Sequence, residues 1–152
     1  RVRAEILLDA ITQVTDTKNK FQGLPLGARA VQIANGNTST YFLTTFGRAK
    51  RESVCSCEVK MEQNLSQALH LLNGDTSNSK IAQGNLIGRR LQEGKQPLEI
   101  LEELYIRCLS RKPTEKERAG FEQVLAAEQD KKMVLDDLFW AMLNSREFVF
   151  NH

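Results

Sequence analysis

The sequence predicts an all-α fold: a helical bundle of five or six helices, with a long irregular segment near residues 15–60 that is open to some extended structure. Three observations predict it. From residue 64 to 143, apolar side chains recur at three- and four-residue spacing, the period of one helix face. Gly94, Pro97 and Pro113 stand at the joints between these periodic runs, where helices stop and restart. Only residues 28–33 alternate with the two-residue period of a strand.

Taken in order, Leu7, Leu8, Ile11 and Val14 form the apolar stripe of a first helix over residues 4–14. The next stretch holds Gly23, Pro25, Gly27, Gly36 and Gly47. Its run Asn35-Gly36-Asn37-Thr38-Ser39-Thr40 is turn chemistry. A loop of this length is expected to cross the bundle, pinned by Phe21, Leu24, Tyr41, Phe42 and Phe46. Leu65, Leu69 and Leu72 return to helical spacing before Asn73-Gly74 ends that run. Another helix starts near Thr76 and carries Ile81, Ile87 and Leu91, with an interruption at Gly84-Asn85 and a stop at Gly94. Pro97 suits a first helical turn, and Leu98, Leu101, Leu104, Tyr105, Cys108 and Leu109 follow on one broad face. After Pro113, Thr114 and Glu117 make a capping box for a helix that buries Phe121, Val124 and Leu125. The last long helix, over 131–143, is apolar on nearly every side in its second half, which implies burial at the centre of a bundle. Ser145 to Phe148 begin one more short turn, with Phe148, Val149 and Phe150 docked.

The 152 residues are 41% apolar and 26% charged, ordinary values for one globular domain spanning 1–152. Twenty-one basic residues against nineteen acidic ones leave +2, too small a surplus for a nucleic-acid-binding module. The surplus is uneven: residues 1–60 carry nine Lys and Arg against five Asp and Glu, residues 61–152 twelve against fourteen. The longest apolar run, 138–143, is far too short for a membrane span. Arg1 is not a start residue, so the chain is expected to be a piece cut from a longer one.

Cys55-Ser56-Cys57-Glu58 is the most unusual local feature. Three readings stand: two ordinary loop thiols, a strained and easily reduced disulfide or redox pair, or half of a metal site with Glu58 and His70 as neighbours. The one-residue gap is short for tetrahedral zinc, and neither His70 nor His152 has a ligand-spaced neighbour. A second candidate site joins Tyr41, Phe42, Phe46 and Arg48, aromatic and basic groups that suit a sugar ring or another ligand as well as a solvated loop. Cys108 reads as a small core residue. Glu102-Glu103 and Asp136-Asp137 read as solvated faces, because adjacent helix positions point apart. No nucleophile elbow and no glycine-rich phosphate loop occurs, so no catalytic residue is nominated.

Five ordered strings carry a family resemblance: Tyr41-Phe-Leu-Thr-Thr-Phe-Gly-Arg48, Cys55-Ser-Cys-Glu58, Gln67-Ala-Leu-His-Leu-Leu-Asn73, Glu103-Leu-Tyr105 through Arg111-Lys-Pro113-Thr114, and Asn144-Ser-Arg-Glu-Phe148. Together they resemble the planctomycete C-terminal domain of unknown function, family fifteen fifty-three. Ala49 and Val59 depart from that pattern, where proline and arginine are common. The resemblance implies a module that closes a large exported protein, often beside a cytochrome c-like domain. It places the protein in the periplasm, on the cell surface or outside the cell, with other domains of the same parent chain as partners. No Cys-x-x-Cys-His string is present, so covalent haem is expected elsewhere in the parent chain and no cofactor in this segment. The leading expectation is a non-catalytic structural or interaction module. The alternatives are a redox- or metal-linked accessory domain using Cys55 and Cys57, and a carbohydrate-binding module.

Overall fold

Helix α1 (Ala4–Val14) forms where its apolar stripe predicts, with Leu7 and Ile11 fully buried. It ends on a left-handed Asp16 (φ 53°), with Asp16 N–H donating to Gln13 O and Thr17 N–H to Thr12 O. Those two bonds satisfy carbonyls that the last helical turn leaves open. The computed structural model describes residues 2–34, 38–49, 67 and 75–150, and among these it is helical without strands. The expected helix around Leu65, Leu69 and Leu72 lies outside the described residues.

Residues 28–33 do not form a strand. Ala30–Gln32 is a 3₁₀ turn, because its free backbone donors find a side-chain acceptor instead of a ladder partner. Buried Asp9 on α1 accepts from Ala30 N–H at 2.6 Å and from Val31 N–H at 3.3 Å. The irregular segment also contains a short helix α2 (Tyr41–Thr45). Thr40 caps its start by accepting from Leu43 N–H. Gly47 (φ 76°) closes it with the same paired bonds as α1, Gly47 N–H to Thr44 O and Arg48 N–H to Leu43 O.

The second half of the chain follows its periodicity closely. Helices α3 (Asp75–Gly84) and α4 (Leu86–Gln92) are separated by left-handed Asn85 (φ 43°), at the expected interruption. Gly84 is required there: a Cβ would come within 1.8 Å of Thr15 O, so α3 lies directly on the end of α1. Helix α5 (Pro97–Leu109) starts at the proline. Helix α6 (Glu115–Ala127) starts at the Thr114–Glu117 capping box. Helix α7 (Lys131–Leu143) is the hub, in contact with α3, α4, α5, α6 and the short helix α8 (Arg146–Val149). That is why its apolar residues run round the helix: Val134, Leu135, Phe139, Met142 and Leu143 are buried, and Leu138 and Trp140 are half-buried. Helix α1 packs on α2, α3 and the 3₁₀ turn. Val2 N–H donates to Val149 O at 3.3 Å, joining the two ends of the described chain. No helix of the described residues is long and apolar enough to cross a membrane.

Candidate functional site

The segment 41–48 divides its four candidate residues between surface and core. Tyr41 is 71% exposed, whereas Phe42 and Phe46 are buried and stacked on each other, ring centroids 4.3 Å apart. Arg48 is buried as well. Its guanidinium donates to Thr38 O at 2.6 Å and Ile33 O at 3.1 Å, and its Nε lies 3.4 Å from Glu5 Oε1. Arg48 therefore ties the loop to α1 and the 3₁₀ turn, a positioning task that a solvated basic knot would not perform. Cys55, Cys57, Glu58 and His70 lie outside the described residues. Cys108 is half-buried on α5, and burial pushes its thiol up to about 12, so it stays protonated and unreactive.

Tyr41 borders a cleft of about 440 Å³ between α1, α2 and α3. At its wall, Lys80 Nζ donates to Asn19 Oδ1 at 2.8 Å and Thr17 Oγ1 at 3.2 Å. Asn19 is held in place in turn, its Nδ2 donating to Thr12 Oγ1, which donates to Leu8 O. Burial lowers the Lys80 pKa from its ordinary value. Lys20 lines the same cleft.

Elsewhere the ionised side chains hold helices together. Arg111, just after α5, reaches Glu147 on α8 (Nε to Oε1, 2.7 Å) and Glu117 on α6 (Nη1 to Oε2, 2.9 Å). Its guanidinium also lies 5.1 Å from the Tyr105 ring centre. The Arg111 hydrogen bonds outweigh the opposing effect of burial and hold the Glu117 carboxyl at about 2. Glu103 on α5 is a second hub, accepting from Arg90, Lys95 and Arg107. Burial alone would raise its pKa, but the bonds from Arg90 and Lys95 win and set it at about 2. Glu103, Tyr105, Arg111 and Glu147, which sit in two of the five motif strings, thus act on the fold.

A larger groove, about 540 Å³ and mostly apolar, lies between α5, α6 and α7. Leu101, Phe121 and Val134 form buried wall, while Val124 (48% exposed) and Met133 (47%) stand open to solvent. Glu128 and Asp137 border it. Val124 was expected inside the core with Phe121. It is exposed because α6 touches the bundle through a narrow face: Phe121 is its one buried residue and Leu125 is half-buried. The signal in the sequence was the short apolar stripe of α6, three residues against the six on α5. The Lys80 cleft is hidden for another reason: nothing local marks a lysine in the middle of a polar helix as partly buried.

No curated protein and no solved structure matches the chain. A family model described as a protein of unknown function, DUF1553, matches residues 1–125. Four of the five motif strings fall inside that span, and the Asn144 string lies beyond it. The chain therefore belongs to the DUF1553 family of proteins of unknown function.

Proposed function

We propose that this chain is a non-catalytic interaction module of a larger exported protein, seated through the α5–α6–α7 groove on another domain of the same parent chain. The observation that carries this reading is the groove itself. It sets Val124 and Met133 in water beside the buried Leu101, Phe121 and Val134, a continuous apolar lining that a covering segment would remove from solvent. The charge around it describes the occupant. Glu128 and Asp137 border the apolar floor, so the complementary surface is an amphipathic segment with basic flanks. A second copy set face to face would bring these carboxylates against their like. The resemblance of the motif strings to exported, multidomain proteins supports the wider setting.

Hydrogen exchange of the chain alone and within its full-length parent tests the reading. Backbone amides of α6 and the first half of α7 are expected to exchange about tenfold more slowly in the parent. Val124→Lys with Met133→Lys, both at exposed positions, should abolish the difference. Equal exchange in the two forms would overturn the proposal.

A further inference from the structure

The geometry points to a second site: we propose that the cleft between α1, α2 and α3 binds an acidic sugar unit, with its oxyanion on Lys80 and its ring on Tyr41. The charge lining of the cleft carries the first half. Among its described lining residues the charged ones are Lys20 and Lys80. Lys80 has three N–H donors, and its two hydrogen bonds go to neutral oxygens, Asn19 Oδ1 and Thr17 Oγ1. A half-buried ammonium held by neutral oxygens keeps its full charge uncompensated, and an anion beside it relieves that cost. The oxygens also fix where the charge sits. Thr12, Asn19 and Thr17 form a hydrogen-bonded frame around Nζ, so the cation is in place before any ligand arrives.

The second half rests on Tyr41 and the polar wall. Tyr41 offers a largely exposed aromatic ring at the cleft mouth, a flat surface of the kind on which a sugar ring stacks. Asn19 and Gln83 line the cleft with amides suited to ring hydroxyls. One framed ammonium with one exposed lysine beside it suits a single carboxylate or sulfate ester better than a polyphosphate, which calls for several converging donors. This site is separate from the α5–α6–α7 groove and does not depend on the docking reading.

Calorimetry and side-chain NMR with glucuronate, glucose and inorganic sulfate test it. Glucuronate is expected to bind saturably, shift the Lys80 Nζ signal and raise the Lys80 pKa, while glucose at equal concentration does neither. Lys80→Met should weaken glucuronate by about tenfold or more, the loss of one charge-assisted contact. Tyr41→Ala, at an exposed position, should weaken glucuronate and leave sulfate binding unchanged. If Lys80→Met fails to fold in a thermal melt, the Lys80 titration in wild-type protein and Lys20→Met carry the test. Binding of glucose as tight as glucuronate, or no saturable response to glucuronate, would overturn the proposal. So would an unchanged glucuronate affinity in Lys80→Met or in Tyr41→Ala.

Discussion

Glu103 and Glu117 each face arginine, and that has a consequence in acid. Both carboxyls sit at about 2 in the folded protein, below their ordinary value of 4.5. A group with a lowered folded pKa adds stability that is complete above the ordinary value and disappears as pH falls through the folded one. The melting temperature is therefore expected to fall as pH drops from 4.5 to about 2, with these two groups contributing across that window. Glu103→Gln should lower stability at neutral pH by about 1.5–3 kcal/mol, toward the lower figure because the network is partly solvated. It should also flatten the acid limb of a melting-temperature profile. A limb of unchanged slope would show that the network is solvated in solution. Little of this was legible in the sequence, where Glu102-Glu103 read as a solvated pair. Arg107 lies one helical turn along α5 from Glu103, but Arg90 comes from α4 and Lys95 from the loop between, and the packing of α4 on α5 brings these two to the carboxylate. Arg111 and Glu147 are 36 residues apart and were equally invisible as a pair.

At the scale of elements, legibility followed length. Long helices with repeating apolar stripes and explicit punctuation, α1 and α5 to α7, start and stop where Pro97, Pro113, Thr114 and the periodicity place them. Short elements have too few residues for a period to show. The five-residue α2 hid behind turn-forming neighbours, although Thr40 as cap and Gly47 as terminator were there to be read. The 3₁₀ turn shows a strand-like alternation in sequence, because its deciding partner, Asp9, is about twenty residues away on α1. Two helical glycines now separate packing from propensity. Gly84→Ala must push α3 off the Thr15 carbonyl, and is expected to destabilise by about 1–3 kcal/mol. Gly120 sits in α6 with open space where a Cβ would go, so Gly120→Ala should stabilise by about 0.5–1 kcal/mol. Urea melts of the two variants should move in opposite directions. A stabilising Gly84→Ala would mean that α3 and α1 are less closely seated than described.

For the whole molecule, the all-α class and the central position of the last long helix were both readable, the latter because an all-round apolar pattern has few other places to go. The binding surfaces were not. A groove and a cleft are properties of how three helices meet, and no single stretch of sequence contains either one. Among the described candidate residues, Tyr41 and Phe42 line that cleft, Phe42 as buried wall.

The bond between Val2 and Val149 gives the module the plan of a keyring: the two ends of the described chain meet at one point, and the rest of the loop can be opened elsewhere. Residues 128–130, between α6 and α7, are exposed and carry no buried side chain. A circular permutant with the old ends joined by a short flexible linker and new ends cut at 129 should fold with the same far-UV circular dichroism. Its melting temperature should lie within a few degrees of the parent's. Loss of cooperative melting would show that the α6–α7 turn is itself needed to seat the hub. Transplanted into a surface loop of an unrelated host, the same entrance-beside-exit geometry would let the module be carried as a pendant without prising the host apart.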